Sequence, residues 1–594
     1  LPGITGQMFR QFALVIAATA VISAINALTL KPTQCALYLR ARAKDYQPNR
    51  FYRGFNHLYG LLEHHYVRLV SLMAHRPGAM AGIFLVIVAI AGLAFSRHAT
   101  AFLPVEDQGY CLVVGRLPEG ASQPRVRELA AAIDRVLRHE AGVKGWVTSG
   151  GFSALDSANL SNVVTEYVMY NDWSKRPAPL DQKHIVADLS AKLGALRMAE
   201  FSVLIPPPIP GLGQAGGFEM MIEDRGALGL HELQTAAQRL LLQANAQPAL
   251  HDVATTFSAD SPQLELEINR TMAESLGVTI NDIFETLQTY LGSTYINLFN
   301  KFNQSFQVRM QADAAYRRRL RDIANLYVAN RDGQMVPLGA LLDVHRVLGS
   351  ELLTRYNLYP SVPIIGDPAP GYSSGEALAA MEQVAQADLP QGMDYDWTGL
   401  SYQEKLLGNQ AYFIFALSIT LVFLVLAAQY ESWTDPAAVV LTVPMALVGV
   451  ILALIVRRFA ADLYTQIGLV LMIALAAKNA ILIVEFSREL KAEGMSAVDA
   501  AIEATRRRFR PILMTSIAFI LGVVPLMTAT GAGAASQQAL GTVVFGGMIA
   551  STLLAIPFVG VFYVVMENFS EWMRRRKGIA SSPAQPSAAE KIAD

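Results

Sequence analysis

The sequence contains few cysteines and few charged residues. Cys35 and Cys111 are the only cysteines among 594 residues, and charged residues make up 16% of the chain against 52% hydrophobic residues. Two cysteines cannot form a disulfide framework, so we expect two free thiols on opposite sides of a membrane. A net charge of -1 argues against a nucleic-acid partner. This composition indicates a membrane protein with a large part outside the lipid.

Acidic residues are missing from the middle of every membrane-length run, although one run carries a lysine. Lys478 is the only basic residue in the run over 465–486. A charge at the centre of a transmembrane helix costs about 3 kcal/mol, so such residues usually face an ion or substrate path. The alternative is a flexible stem that reaches the cytoplasmic rim. Glu485 lies about 10 Å further along the helix, too far for pairing. Because the chain opens on Leu1, we expect the carboxylates that pair with Lys478 in a preceding part of a longer polypeptide.

Seven apolar runs are long enough to cross a bilayer, at about 11–30, 78–97, 411–428, 436–456, 465–487, 511–528 and 541–566. Three basic clusters mark the cytoplasmic side: Lys31, Arg40, Arg42, Lys44, Arg50 and Arg53; Arg506, Arg507, Arg508 and Arg510; and residues 574–577. Arg457 and Arg458 fall on the wrong side. The stretch 52–75 is typical of an amphipathic helix at the inner face.

The roughly 310 residues between the second and third runs are too many for a loop and should form domains outside the cytoplasm. Residues 98–216 alternate as β-α-β-β-α-β, which predicts a ferredoxin-like sandwich. A second such unit is divided between 217–259 and 368–408, and Ser373 and Glu376 form a capping box at its second helix. Residues 260–367 are predicted to be an inserted subdomain.

Six motifs occur in order along the chain. They are FLPVEDQG at 102–109, DGQMVP at 332–337, YDWTG at 395–399, AQYESW at 428–433, AKNAIL at 477–482 and RPILMTS at 510–516. In these motifs the chain resembles the C-terminal half of AcrB-type multidrug efflux pumps of the resistance-nodulation-division superfamily. The resemblance covers nearly the whole chain. Only the tail 578–594, rich in Ser, Ala and Pro, falls outside it and is expected to be disordered.

The resemblance implies an α+β membrane protein in the bacterial inner membrane. Residues 1–97 would hold two transmembrane helices with the cytoplasmic amphipathic helix between them, and residues 409–577 would hold five more. The ferredoxin-like subdomains would form a periplasmic porter region, and the insert would be a docking subdomain. The family also implies a homotrimer, a periplasmic adaptor protein, an outer-membrane channel and proton-driven export of amphiphilic drugs, dyes or detergents.

The resemblance also implies a proton relay. Two aspartates of the N-terminal half would pair with Lys478, and Thr515, Arg508 and Asn479 would complete the relay. Thr515 and Arg508 are seven residues apart and share a helix face, about 10 Å from each other. Two simpler interpretations stay open. The Thr515 hydroxyl can bond to its own helix, and Arg508 can be a topology-setting charge.

The family's drug pocket is lined by aromatic residues and bordered by a glycine-containing loop, which matches residues 150–154. Phe152, Tyr167, Trp146 and Phe218 are the pocket candidates, and the alternative for each is an ordinary core aromatic. Val147 and Ala154 depart from the family pattern, which leaves the substrate range open.

No cofactor is predicted. The chain has no G-x-x-x-x-G-K-[ST] phosphate loop, so an ion gradient is the expected energy source. A membrane-anchored periplasmic enzyme is disfavoured, because the histidines in 98–408 lack ligand spacing: His98, His139, His184, His231, His251 and His345. A metal-exporting relative that uses Met220 and Met221 stays open, although a methionine pair in a strand is usually packing. A lipid or protein exporter also stays open.

Overall fold

The computed structural model describes residues 3–39, 49–176, 178–214, 216–407 and 410–576. Several residues used for the topology prediction, namely Arg40, Arg42, Lys44 and Lys577, lie outside these ranges. The predicted tail 578–594 lies outside them as well.

Seven helical spans in the described ranges are long and apolar enough to cross a membrane, which confirms the number predicted. They are numbered first to seventh in chain order: Gly3–Tyr38, Pro77–Ser96, Phe413–Tyr430, Thr434–Arg457, Leu463–Ala492, Ala497–Met527 and Ala534–Arg576. The first span consists of two helices, Gly3–Leu28 and Leu30–Tyr38, and so does the fourth, with Thr434–Val440 and Val443–Arg457. The seventh contains one π-helical turn, Ser551–Ala555, between Ala534–Ala550 and Ile556–Arg576.

The predicted amphipathic segment forms the helix Arg50–Ala74. Its C-terminal part packs on the sixth and seventh spans. The Tyr66 ring stacks on Phe509 with 4.3 Å between ring centroids, and Val70 and Met73 are buried.

The fourth and seventh spans approach each other through glycine. A Cβ added to Gly449 would lie 2.1 Å from the Gly546 carbonyl oxygen, and one added to Gly546 would lie 2.4 Å from Ala453 Cβ. Small residues at such a crossing allow membrane helices to come into backbone contact.

Arg457 ties three spans together at one end of the bundle. Its guanidinium donates to the Met527 carbonyl at 2.8 Å, to Thr542 Oγ1 at 3.1 Å and to Gln538 Oε1 at 3.3 Å. These bonds link the fourth span to the sixth and seventh. This structural role accounts for an arginine on the side where the charge rule expects none.

The first sheet has four antiparallel strands in the order Val143–Gly150, Val163–Tyr170, Tyr110–Arg116 and Glu200–Leu204. Two helices, Gln123–Leu137 and Gln182–Gly194, cover one face and bury Leu129, Ile133 and Leu189 there. This strand order is the one expected of the predicted ferredoxin-like unit, which the structure confirms.

The second sheet repeats this order with Leu250–Thr255, Tyr359–Pro368, Phe218–Asp224 and Met393–Trp397. Its helices are Leu230–Asn245 and Ser374–Asp388, and the latter has the predicted capping box. A short strand, Thr354–Tyr356, pairs with one end of Tyr359–Pro368.

The strand Tyr359–Pro368 corrects the sequence analysis, which assigned residues 359–367 to the insert. It pairs with the strand Phe218–Asp224 and belongs to the second sheet. Its prolines, Pro360, Pro363 and Pro368, argue against an internal strand because proline lacks an amide donor for the ladder. The chain therefore re-enters the second sheet at Tyr359, about nine residues before the predicted boundary at 368.

The insert has its own small core around Ile283, Leu326 and Leu338. Its strands pair as Ser261–Ile268 with Leu342–Gly349, Thr294–Lys301 with Gln304–Met310, and Tyr327–Ala329 with Met335–Pro337. Its α-helices are Arg270–Ser275, Ile280–Leu287 and Leu320–Ala324. One further helix, Gly399–Leu407, leads from the second sheet towards the third span, whose helix is Gln410–Tyr430.

Candidate functional site

Lys478 lies in the middle of the fifth span with its side chain exposed. Its neighbours Ala477 and Ala480 are buried against the other spans. None of the described residues forms an ion pair with Lys478. The structure therefore presents an ammonium group on an outer face of an apolar helix.

Thr515, on the sixth span, is exposed as well. Its hydroxyl donates to the Ile512 carbonyl of its own helix at 3.0 Å, which is the simpler of the two arrangements that the sequence left open. A hydroxyl bonded in this way can still accept a hydrogen bond through its oxygen.

Arg508 lies over the ring of Phe486, with 4.6 Å from the guanidinium carbon to the ring centroid. This cation–π contact joins the sixth span to the fifth. Consecutive spans run in opposite directions. Lys478 and Thr515 are therefore about 12 and 10 Å beyond this contact, on the same side of it. The two side chains thus lie at similar depth on neighbouring helices.

Buried polar atoms without partners surround this region. Asn479 Nδ2, Arg508 Nε and Ser516 Oγ have no hydrogen-bond partner in the described part of the chain. Each such atom costs about 1–3 kcal/mol and calls for an explanation. Sequence reasoning named Asn479 and Arg508 but gave no role to Ser516, although Ser516 ends the RPILMTS motif.

Phe152 and Tyr167 lie on the face of the first sheet that carries no helix. Tyr167 pairs with Leu112 and with Val147, so these three side chains project to the same side. Phe152 packs with Leu112 on that side, and Gly151 before it has a positive φ of 89°. Val147 is 57% exposed, which leaves an open apolar surface beside Tyr167.

Trp146 and Phe218 do not line this surface, which corrects the grouping made from the sequence. Trp146 pairs with Val168, so it faces the helices of the first sheet, and its Nε1 donates to Asp134. Phe218 is 4% exposed in the core of the second sheet, edge-on to Trp397. Both are core aromatics here, because their strand registers turn them towards the covering helices.

Glu166 is a fully buried carboxylate that the sequence analysis did not single out. Thr148 Oγ1 donates to its Oε2 at 2.6 Å, whereas Oε1 has no partner among the described residues. Burial raises the pKa of Glu166 to about 7. The Thr148 hydrogen bond opposes that rise, and the nearby Asp134 charge adds to it. Period-2 alternation places residue 166 on the core face with Val164 and Val168, and this was the available signal.

The side chains of Met220 and Met221 point to opposite faces of their strand. Met220 is in the core beside Ile222, and Met221 is on the other face. The pair therefore does not converge on one metal ion. Within the described ranges, no group of three or more His, Cys, Asp and Glu residues is arranged to hold a metal. Cys35 and Cys111 are free thiols, as predicted.

Comparison with known proteins identifies the chain's relatives. The matching family model is described as the AcrB/AcrD/AcrF family and covers residues 1–567. Multidrug export protein AcrF of Escherichia coli (strain K12) is 41% identical over 573 residues, which are 95% of this chain and 55% of that protein.

Two further relatives are 39% identical to the chain. For multidrug resistance protein MdtF of Escherichia coli (strain K12) the match covers 96% of this chain and 55% of that protein. For multidrug/solvent efflux pump membrane transporter MepB of Pseudomonas putida the shares are 95% and 54%. The chain spans about half the length of these curated relatives. These matches confirm the resemblance drawn from six motifs, and the chain belongs to the AcrB/AcrD/AcrF family.

Proposed function

We propose that this chain is the C-terminal half of an inner-membrane efflux pump that exports amphiphilic molecules in exchange for protons. The observation that carries the proposal is Lys478, an ammonium in an apolar span with no ion pair in the described part of the chain. Such a group requires acidic partners inside the membrane. The relatives are nearly twice as long as this chain, which supports an N-terminal half that supplies the acidic partners of Lys478.

In this proposal Lys478, Thr515, Arg508 and Asn479 form a proton relay with two aspartates of the N-terminal half. Protonation of an aspartate beside Lys478 releases the ammonium from its ion pair and shifts the packing of the fifth and sixth spans. Arg508 stands at the cytoplasmic mouth and Thr515 at the depth of Lys478. One proton that crosses about 150 mV supplies roughly 3.5 kcal/mol.

Substrates would contact the open face of the first sheet, at Phe152 and Tyr167. The names of two relatives mention multidrug export and multidrug/solvent efflux, which supports amphiphilic drugs, dyes, detergents or solvents as the substrate class here. The exposed Val147 beside Tyr167 enlarges the apolar surface that such molecules require.

The same proposal assigns the architecture. Residues 98–216, and 217–259 with 368–408, are porter subdomains in the periplasm, and the insert is a docking subdomain. The assembly is a homotrimer in the bacterial inner membrane that works with a periplasmic adaptor protein and an outer-membrane channel. The repeated ferredoxin-like strand order supports two equivalent porter units.

The test uses the complete transporter, the chain together with its N-terminal half, in liposomes with an imposed pH gradient. Lys478→Ala should abolish dye export while the protein still assembles, because the aspartates lose the charge that couples them to the helices. Lys183→Ala, an exposed lysine on the helix Gln182–Gly194, is the matched control and should export normally.

Retained export by Lys478→Ala would refute the relay. A deletion strain tests the substrate class. Sensitivity to dyes and detergents supports the proposal, whereas sensitivity to metal ions alone contradicts it.

A further inference from the structure

The segment that follows the second span, residues 98–109, connects the membrane helices to both sheets. We call it the linker strap, and it contains the FLPVEDQG motif. At its start it runs along the turn before the fifth span: Ala461 donates its amide to the Ala99 carbonyl at 2.8 Å and accepts from Ala101 at 3.2 Å. The Phe102 carbonyl accepts from the amide of Leu463, the first residue of the fifth span, at 3.0 Å.

Glu106, further along the strap, caps the seventh span. Its Oε2 accepts the amide of Ala535 at 3.1 Å, and its Oε1 accepts the amide of Ser536 at 2.8 Å and the Ser536 hydroxyl. These amides are orphan donors at a helix N-terminus, where a negative charge is stabilised. The helix has no cap of its own, because Gly533 occupies the cap position. Glu106 is only 7% exposed, so these donors replace water at both of its carboxylate oxygens.

The main chain around Glu106 belongs to the first sheet and its helices. The Glu106 carbonyl accepts from Gln182, at the start of the helix Gln182–Gly194. The Asp107 carboxylate lies 2.8 Å from the guanidinium of Arg176, and the Tyr170 amide donates to the Gly109 carbonyl at 2.8 Å. The side chain of Glu106 thus bonds to a membrane helix, and its backbone carbonyl bonds to a helix that covers the first sheet.

The strap also contacts the second sheet's helix Ser374–Asp388. The Gly375 amide donates to the Thr100 carbonyl at 3.2 Å, and a Cβ on Gly375 would meet Thr100 Oγ1 at 2.6 Å. One short segment therefore touches the span that carries Lys478, the seventh span and both sheet units.

We propose that Glu106 is a positioning residue that fastens the linker strap to the seventh span, so that displacement of the fifth and seventh spans moves the first sheet. The inference rests on the proposed function and adds the route by which protonation in the membrane reaches the substrate surface. The strap lies at the two helix starts, and hydrogen bonds hold it along its length. Axial movement of either span therefore pulls on the strand Tyr110–Arg116, which follows directly and lies beside Tyr167.

The experiment compares Glu106→Ala and Glu106→Gln with Glu200→Gln, an exposed carboxylate in the first sheet. In liposomes with a pH gradient, the dye exported per proton taken up should fall about tenfold or more for Glu106→Ala, because three charge-assisted bonds are lost. Glu106→Gln keeps one acceptor oxygen, so the dye exported per proton should fall less in this variant. Dye affinity should stay unchanged in all three. A merely structural role would lower dye export and proton uptake together.

A second measurement does not depend on transport. Hydrogen exchange of the purified transporter is compared with and without a cationic dye. In the unsubstituted protein, dye binding should change exchange at 463–467 and 534–540; in Glu106→Ala dye should still bind, and this change should disappear. If Glu106→Ala fails to fold, Glu106→Gln and Ser536→Ala serve in its place. Normal coupling and a normal exchange response in a folded Glu106 variant would overturn the inference. Absence of export by the unsubstituted protein would instead count against the proposed function.

Discussion

Glu166 shows how one buried carboxylate makes a sheet sensitive to pH. Burial raises its pKa to about 7 in the folded protein, above the ordinary value of 4.5. The folded state therefore holds the proton between pH 4.5 and 7, where the unfolded chain has released it. Stability from this group is complete below pH 4.5 and is lost as pH rises to about 7. At about 1.4 kcal/mol per pKa unit, the loss of folding free energy is at most about 3.5 kcal/mol.

Glu166→Gln should remove this dependence, because an amide does not ionise. We expect the amide hydrogen-exchange protection factors of the strand Val163–Tyr170 to fall between pH 5 and pH 8 in the unsubstituted protein. In Glu166→Gln these protection factors should stay level. Glu128→Gln, an exposed position on the neighbouring helix, should behave like the unsubstituted protein. An equal fall in both variants would show that another group titrates.

The aromatic pocket candidates show what residue type alone leaves open. Phe152, Tyr167, Trp146 and Phe218 are all large and apolar, and each is suited equally to a pocket or to a core. Strand register separates them: Tyr167 pairs with Val147 on the open face, and Trp146 pairs with Val168 on the covered one. A one-residue difference along a strand reverses the face. On the strand Val163–Tyr170, Val164 and Val168 are buried under the helices, so Tyr167 projects from the open face.

Among the helices, the crossing of the fourth and seventh spans depends on the absence of two side chains. Gly449 and Gly546 bring the backbones together, and Arg457 bonds the same spans at their end. The sequence predicted both helices from their apolar length but not their contact, because a glycine in an apolar run has no local mark that assigns it to an interface.

Gly449→Ala should destabilise the bundle by roughly 1–3 kcal/mol, because the added methyl group overlaps the Gly546 carbonyl and forces the spans apart. Thermal unfolding of the complete transporter in detergent measures this. Gly92→Ala, in the second span, is the control, since a Cβ there meets nothing within 4 Å. Equal melting temperatures for the two variants would contradict the close-packing account.

Across the whole molecule, the features predicted correctly are those encoded locally. Seven apolar runs and the β-α alternation of the first sheet follow from periodicity within short windows. The strand Tyr359–Pro368 was missed because its prolines resemble a loop, and only its pairing with residues about 140 positions earlier identifies it. The contact between Glu106 and Ser536 also joins distant parts of the chain, so no local pattern predicts it.

Residues 1–594 alone should not export substrate, whereas co-expression with an N-terminal half should restore proton-dependent export. The physical reason is Lys478. It has no acidic partner in the described part of the chain, and an unpaired ammonium group inside a lipid bilayer is energetically unfavourable. Dye efflux from cells with either half or both measures this. Proton-dependent efflux by residues 1–594 alone would show that our account of Lys478 is wrong.

The position of the insert has an architectural consequence. It leaves the second sheet after the strand Leu250–Thr255 and returns through Tyr359–Pro368, and these two strands are antiparallel neighbours, with Thr255 opposite Ile364. The exit and the return therefore lie side by side, about 5 Å apart at the paired residues. The returning strand begins five residues before that pair, at Tyr359, so a short connection from Thr255 to Tyr359 is enough to join them. All four strands and both helices of the ferredoxin-like unit thus lie outside the insert, so the insert can differ in length or sequence without a change in the strand order of the sheet.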